Sequence, residues 1–272
     1  MAAVTAPAVA PLIERKSKLG YAVADALTIA WRNLKGMSRT PEIIMFSTIQ
    51  PIIFVLTFRY VFGGSIDTGI PGLPYVDFLM PGVFLQTVAF GAMNTGIGLA
   101  DDLHKGLIER FRSLPMSRSA VLAGRALSDL VRNSGVVVLM VAVGYLVGFR
   151  IHTNVGAFLA ALLLLLAFSV AFSFIFAYIG MAAPSSEAAQ AGSFPILALL
   201  VFASTAFAPA EGMPGWLQAY NDVQPVSVMA KALRALMIGG ETAAPVLHAV
   251  LWIVGLAVVV MPITVNKYRR AA

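Results

Sequence analysis

Six long apolar stretches with few charged side chains constrain what this chain can fold into. They cover residues 41–62, 78–100, 119–148, 155–182, 190–208 and 243–265. A helix that spans a bilayer needs about 20 mostly apolar residues, and each stretch comes close to or exceeds that length. Only 12% of the residues are charged, whereas a soluble domain carries about 25%. The sequence therefore predicts an all-α integral membrane protein with six transmembrane helices and excludes soluble folds.

Basic residues fall mainly in the segments that six spans place on one side of the membrane. These bases are Arg15, Lys16, Lys18, Arg32, Lys35, Arg39, Lys105, Arg110, Arg112, Arg118, Arg125, Lys267, Arg269 and Arg270. The opposite side holds few bases: Arg150, Lys231 and Arg234. Positive loops face the cytoplasm, so we expect a multi-pass protein of the bacterial inner membrane with both termini cytoplasmic. The net charge of +6 then reflects membrane orientation, and no nucleic-acid partner is expected.

The residue types that commonly hold metals are sparse. Cysteine is absent, and His104, His152 and His248 are far apart in sequence. No disulfide or thiolate metal site can form, and the histidine spacing fits no metal motif. We therefore predict no metal and no catalytic residues in this chain.

Three segments outside the spans differ from them in sequence. Residues 1–18 read as a flexible cytoplasmic tail. Residues 19–40 repeat apolar side chains at three- and four-residue steps, which predicts an amphipathic helix in the membrane interface or an extension of the first span. Residues 209–242 are interrupted by Pro and Gly but remain apolar, so we expect a re-entrant helical segment in the outer leaflet. Residues 41–272 form the transmembrane domain.

The loop after the second span, residues 101–116, predicts an amphipathic helix beneath the membrane. Asp101 and Asp102 stand where a helix N-terminus would favour anions, and Pro115 would end the helix. Such a helix offers a compact surface to a cytoplasmic partner. The residues alone fit equally well a positively charged loop without a partner.

Particular residues in and around this loop match a known family. They are Gly106, Leu107, Ile108, Glu109, Arg110, Arg112, Ser113, Leu114, Pro115, Ser117, Arg118, Gly124 and Arg125. Further matches are Arg39-Thr40-Pro41, Gln50-Pro51, Tyr60 to Gly64, Tyr75, Asp77-Phe78-Leu79, Pro81-Gly82, Gln86, Pro214 to Leu217, Pro225-Val226, Ala232 to Leu236 and Gly239-Gly240. From about residue 30 onward, the chain resembles the permeases of daunorubicin and multidrug exporters, within the type 2 class of ABC transporter membrane subunits.

The resemblance implies a function and a set of partners. Permeases of this family pair as homodimers or heterodimers, bind two cytoplasmic ABC ATPase subunits through a coupling helix, and export drugs, lipids or other amphiphiles. It implies multidrug efflux or antibiotic resistance, with coupling residues Asp102, Lys105, Gly106, Glu109, Arg110, Arg112, Leu114 and Pro115. The chain has no P-loop, so it is expected to bind no cofactor and not to be an enzyme. ATP and Mg would belong to the partner ATPase.

Several polar side chains lie within the predicted spans. Asp129 and Arg132 are spaced i,i+3 and can pair, with either a structural or a gating role. Candidates for a substrate pathway, which would serve equally for hydrogen bonds between helices, are Gln50, Phe54, Gln86, Phe90 and Asn94. Small residues around Gly96 and Gly144 permit close helix contact, either within the chain or between two permeases.

Two other classes of function stay open at this point. An ion-coupled secondary transporter needs a membrane-embedded carboxylate, for which Asp129 is the candidate. A membrane immunity protein without transport activity needs no polar site at all. An intramembrane enzyme is disfavoured because no nucleophile and base are paired within the spans.

Overall fold

The computed structural model describes residues 18–39, 41–107 and 118–271. The predicted tail is outside the described residues except for Lys18. The described residues form helices and no strands, which confirms the predicted all-α class. In chain order the helices are α1 Lys18–Ser38, α2 Pro41–Thr57, α3 Tyr75–His104, α4 Arg118–Leu146, α5 Val155–Gly180, α6 Ser186–Phe202, α7 Gly215–Val223, α8 Pro225–Met237 and α9 Ala243–Ala271. A π-helical turn, Phe58–Phe62, extends α2, and a 3₁₀ turn, Ala210–Gly212, precedes α7.

Four of the described helices are long and apolar enough to cross a membrane. They are α3, most of α4, α5 and α9. The other two predicted spans correspond to α2 with its π turn and to α6, which are apolar but shorter. The described part of the chain is therefore a multi-helix membrane protein, as its composition requires.

Helix α6 is displaced from the predicted span 190–208. It begins at Ser186, because the Ser185 side chain accepts a hydrogen bond from Ala188 N at 3.1 Å and caps the helix. It ends at Phe202, and its 17 residues rise about 26 Å. That length falls short of a bilayer core of about 30 Å.

The long helices pack around α3, which contacts α2, α4, α5, α6 and α8. We call the end of the bundle that holds α1 the α1 end, and the end that holds α7 and α8 the α8 end. The start of α3 lies at the α8 end, where Tyr75 donates a hydrogen bond to Phe207 O at 2.8 Å. Its last turn lies at the α1 end, beside Arg32 and Arg125. Helix α3 is therefore the shared core element that joins the two ends.

Glycines allow α3 and α5 to approach closely. A Cβ atom on Gly96 would lie 2.2 Å from Phe176 O, and one on Gly180 would lie 2.1 Å from Gly96 O. A Cβ on Gly144 of α4 would meet the Met80 side chain of α3 at 2.7 Å. The small-residue contacts around Gly96 and Gly144 are thus made within one chain.

Candidate functional site

A cleft of about 580 Å³ opens between α2, α4 and α6, with α3 along its floor. Its size suits a small organic ligand, since such sites measure roughly 300–1,000 Å³. Side chains from all four helices line it: Gln50, Pro51, Gln86, Thr87, Phe90, Gly91, Met93, Asn94, Arg132, Asn133, Val136, Gln190 and Phe194. The rim residues Gln50, Gln190 and Phe194 are exposed, whereas Gln86, Thr87 and Asn133 are buried.

An ion pair borders this cleft. Arg132 Nη1 lies 3.2 Å from Asp129 Oδ1, and the two side chains expose 13% and 10% of their surface. Thr95 of α3 donates a hydrogen bond to Asp129 Oδ2 at 2.5 Å. Arg132 Nη2 donates to Gly91 O at 2.7 Å. The pair therefore ties α4 to α3 at two points.

The same network reaches α5. Asn133 Nδ2 donates a hydrogen bond to Ser169 Oγ at 2.7 Å, and its Oδ1 accepts from Arg132 at 3.4 Å. Burial of a charge is costly unless the charge is paired and hydrogen-bonded. Because each charge here has a partner of opposite sign, the floor of the cleft is polar but close to electrically neutral.

Four of the five predicted pathway residues come together in this cleft. Gln86 and Phe90 are one helical turn apart on α3, and Asn94 follows at the next turn, so the three share one face. Gln50 faces them from α2. The fifth, Phe54, does not line the cleft. Its ring stacks on Phe58 and Phe202, with centroids 5.6 and 5.8 Å away, in an aromatic cluster near the α8 end.

A second polar cluster lies at the α1 end, which we call the Asp102 junction. Its members are Asp102 in α3, Arg125 in α4 and Arg32 in α1. The Asp102 carboxylate forms a short ion pair with Arg125 and lies 3.8 Å from Arg32 Nη2. Three helices are therefore joined by one carboxylate.

The structure corrects the expected helix start at Asp101. Both Asp101 and Asp102 lie in the last turn of α3, which continues to His104. Lys105 N donates to Asp101 O at 3.0 Å, and Gly106 has a φ of 66°, a conformation that suits glycine after a helix C-terminus. The helix dipole disfavours anions there, and nearby cations compensate.

Lys105 supplies one of these cations. Its Nζ donates to Asp101 Oδ2 at 2.7 Å, and this hydrogen bond raises the pKa of Lys105. Of the predicted coupling residues, Asp102, Lys105 and Gly106 are therefore placed at the end of α3. Glu109, Arg110, Arg112, Leu114 and Pro115 lie outside the described residues.

Sequence reasoning missed a third cluster, at the α8 end. Arg234 of α8 donates to Phe78 O at 3.0 Å and to Ala206 O at 2.8 Å, and its guanidinium lies 3.5 Å from the Phe78 ring centre. The buried Asp77 carboxylate bonds His152 Nε2 at 2.7 Å and Arg150 N at 2.8 Å. An arginine within an otherwise apolar helix could have indicated this cluster, but the partners of Arg234 are far away in sequence.

Comparison with known proteins gives a consistent result. A family profile described as "ABC-2 type transporter" matches residues 25–238. The daunorubicin resistance ABC transporter permease protein DrrB1 of Streptomyces coeruleorubidus is 36% identical over 249 residues, which are 92% of this chain and 87% of that protein. The probable doxorubicin resistance ABC transporter permease protein DrrC of Mycobacterium tuberculosis is 26% identical over 258 residues, 92% of this chain and 90% of that protein. A putative transport permease, ycf38, of Cyanophora paradoxa is 25% identical over 219 residues, 79% and 75% of the two chains.

Proposed function

This chain belongs to the ABC-2 type transporter family and is a permease subunit of an ABC exporter, and we propose that its cargo passes through the cleft beside α3. The names of two relatives refer to resistance to daunorubicin and doxorubicin. We therefore infer that the cargo is a hydrophobic or amphipathic compound, either an antibiotic of that kind or a lipid. The observation that carries the cleft assignment is its mixed lining, with aromatic rings from Phe90 and Phe194 beside buried amides.

A separate ATPase subunit supplies the energy in this proposal. Its docking site would be the segment 101–116, which begins in the last turn of α3 and continues beyond it. The Asp102 junction supports this assignment, because a push on the segment would reach α4 through Arg125 and α1 through Arg32. Gly106 would separate the docking element from α3 at a defined turn.

The arrangement of the membrane spans follows from the same assignment. We infer six spans, formed by α2 with its π turn, α3, α4, α5, α6 with residues 203–209, and α9. Helix α1 would lie in the cytoplasmic interface, since Leu27 and Trp31 expose more than half of their surface and such apolar faces enter lipid headgroups. Helices α7 and α8 would form the re-entrant cap on the outer side, and both termini would be cytoplasmic.

A second permease copy completes the proposed transporter. The rim of the cleft at Gln50, Gln190 and Phe194 is exposed in the single chain, so a partner across this rim would close the pathway. Relatives of two kinds, named DrrB1 and DrrC, match the chain. The partner is accordingly either an identical chain or a paralogue.

Transport assays in inverted vesicles test the function. Vesicles with this chain and a co-expressed ABC ATPase should accumulate fluorescent daunorubicin when ATP is added, and a proton gradient alone should not drive uptake. Charge reversal at Glu109 or Arg110 should uncouple ATPase activity from transport while leaving expression intact. Uptake that persists in ATP-depleted vesicles would contradict the proposal and favour an ion-coupled transporter.

A further inference from the structure

One buried polar atom in the cleft has no partner. Gln86 exposes 2% of its surface, and its Oε1, which is itself covered in this structure, makes no hydrogen bond with any described residue. Leaving a buried carbonyl oxygen unpaired is unfavourable, and more so in a medium of low dielectric constant. Because buried polar groups are nearly always hydrogen-bonded, an unpaired one indicates a role in binding a ligand or another function.

Other buried polar groups around Gln86 are already satisfied within the protein. Thr87 Oγ1 donates to Val83 O at 2.8 Å, and Asn133 is bonded to Ser169. The charge of Arg132 is offset by Asp129 at 3.2 Å. Among the described residues that line the cleft, Gln86 is therefore the buried one whose acceptor oxygen has no partner.

The surroundings of Gln86 also define what could approach it. Phe90, one turn along α3, packs edge-to-face with Phe194 of α6, with ring centroids 6.5 Å apart. An aromatic or aliphatic body would lie against these rings. The neutralised floor of the cleft provides no unpaired charge for an anionic group.

We propose that the Gln86 amide turns its Oε1 into the cleft and accepts a hydrogen bond there from an uncharged hydroxyl or amide N–H of the cargo, whose apolar part lies against Phe90 and Phe194. The inference rests on the proposed function, because it assigns the cleft to cargo. It makes Gln86 a specificity-determining residue. A site built to pair with a donor discriminates strongly against the analogue that lacks it, since the buried acceptor is then left unpaired.

Equilibrium binding to the purified full-length chain in lipid nanodiscs tests this without an ATPase. The probes are a pair of fluorescent naphthalene amphiphiles that differ at one position, a hydroxyl in one and its methyl ether in the other. The wild type should bind the hydroxyl probe about five- to tenfold more tightly, the usual net value of one hydrogen bond. Gln86→Met should reduce this ratio to about one, because methionine keeps the volume and loses the acceptor.

Two further variants make the outcome decisive. Gln218→Met makes the same chemical change in α7, outside the cleft, and should retain the wild-type ratio. Gln86→Asn withdraws the amide by one methylene and should also lower the ratio. This variant serves as the test if Gln86→Met cannot be purified. An unchanged ratio in the Gln86 variants would overturn the inference, and so would a wild-type chain that binds neither probe.

Failure of the two proposals can be told apart. ATP-driven uptake of daunorubicin in vesicles together with an unchanged probe ratio would reject the role of Gln86 and leave the exporter assignment intact. If the probe ratio depends on Gln86 but no ATP-driven uptake occurs, the role of Gln86 in binding stands. The proposal that this cleft is the export pathway is then rejected.

Discussion

Individual side chains inside this bundle are held by interactions that link distant parts of the sequence. Asp129 has Arg132 and Thr95 as partners, and Arg132 also bonds Gly91 O. A carboxylate bound in this way is well suited to joining helices.

Removal of one charge from this pair should be costly. Asp129→Ala leaves the Arg132 guanidinium buried without its counter-ion, and we expect a loss of about 3 kcal/mol in the free energy of unfolding. The double variant Asp129→Ala/Arg132→Met removes both charges and should recover most of that loss. Thermal unfolding of the purified chain in detergent measures both. A double variant as unstable as the single one would contradict the pairing.

Arg234 should not tolerate replacement by lysine. Its guanidinium bonds Phe78 O and Ala206 O while it covers the Phe78 ring, and a lysine ammonium cannot reproduce that planar geometry. We expect Arg234→Lys to cost about 2 kcal/mol of unfolding free energy, measured by the same melting assay. Lys231→Arg, at an exposed position of the same helix, is the control and should have little effect.

Whole helices are positioned by small residues as well as by polar ones. The contact between α3 and α5 depends on Gly96 and Gly180, because any side chain there would overlap backbone atoms of the neighbouring helix. This contact fixes α3 at the centre of the bundle. Movements of α3 would then carry α5 with it.

Gly96→Ala should separate α3 from α5. Its Cβ would lie 2.2 Å from Phe176 O, so the helices must shift, at a cost of about 1–3 kcal/mol. Gly135→Ala in α4 is a matched control, because no atom lies within 4 Å of the added Cβ. Alanine favours a helix, so that variant should be neutral or slightly stabilised. A melting temperature that falls equally in both variants would argue against the close contact.

The Asp102 junction should transmit movement between α3 and α4. Asp102→Arg or Arg125→Asp places like charges together, and each single variant should lose most ATP-driven uptake. The exchange Asp102→Arg/Arg125→Asp restores opposite charges and should recover part of it. Lys231→Ala removes an exposed ion pair at the other end and should change uptake less than twofold, since such pairs contribute little. If the two single variants and the double variant show equal uptake, the Asp102 junction does not transmit movement between α3 and α4.

At the scale of the whole molecule, the two ends of the bundle have different chemistry. The α1 end carries Lys105, Arg125 and Arg32 around carboxylates. The α8 end carries the short helices α7 and α8, and Arg234 of α8 bonds the backbone of α3 there. This asymmetry suits a protein that receives force at one face and releases cargo at the other.

Orientation can be tested directly because the chain contains no cysteine. Ser65→Cys lies near the α8 end and Ala182→Cys lies between α5 and α6 at the α1 end, and both positions are exposed. A membrane-impermeant maleimide should label Ser65→Cys in intact cells and Ala182→Cys only after permeabilisation. The reverse pattern would place α8 on the cytoplasmic side and would end the docking proposal for residues 101–116.

The sequence alone determined the class of the protein and the approximate place of its helices. The length of an apolar stretch can be read from consecutive residues of the sequence. For that reason α4 and α5 begin and end within a few residues of the predicted stretches. The Pro- and Gly-rich segment 209–242 was likewise predicted as short helices. Gly106 was a readable signal for the end of α3, but the acidic pair before it suggested a helix start instead.

Only the tertiary structure decided which side chains meet. The rotation of each helix about its axis determines whether Gln86 faces a cleft and whether Phe54 faces a different cluster. The pairs Asp102–Arg125 and Gly96–Gly180 join residues that are far apart in the chain. Hydropathy and spacing report how a segment meets its solvent, whereas contacts between helices depend on how all the segments pack together. For that reason the long apolar helices were predictable, whereas the placement of Phe54 outside the cleft and the Asp102 junction were not.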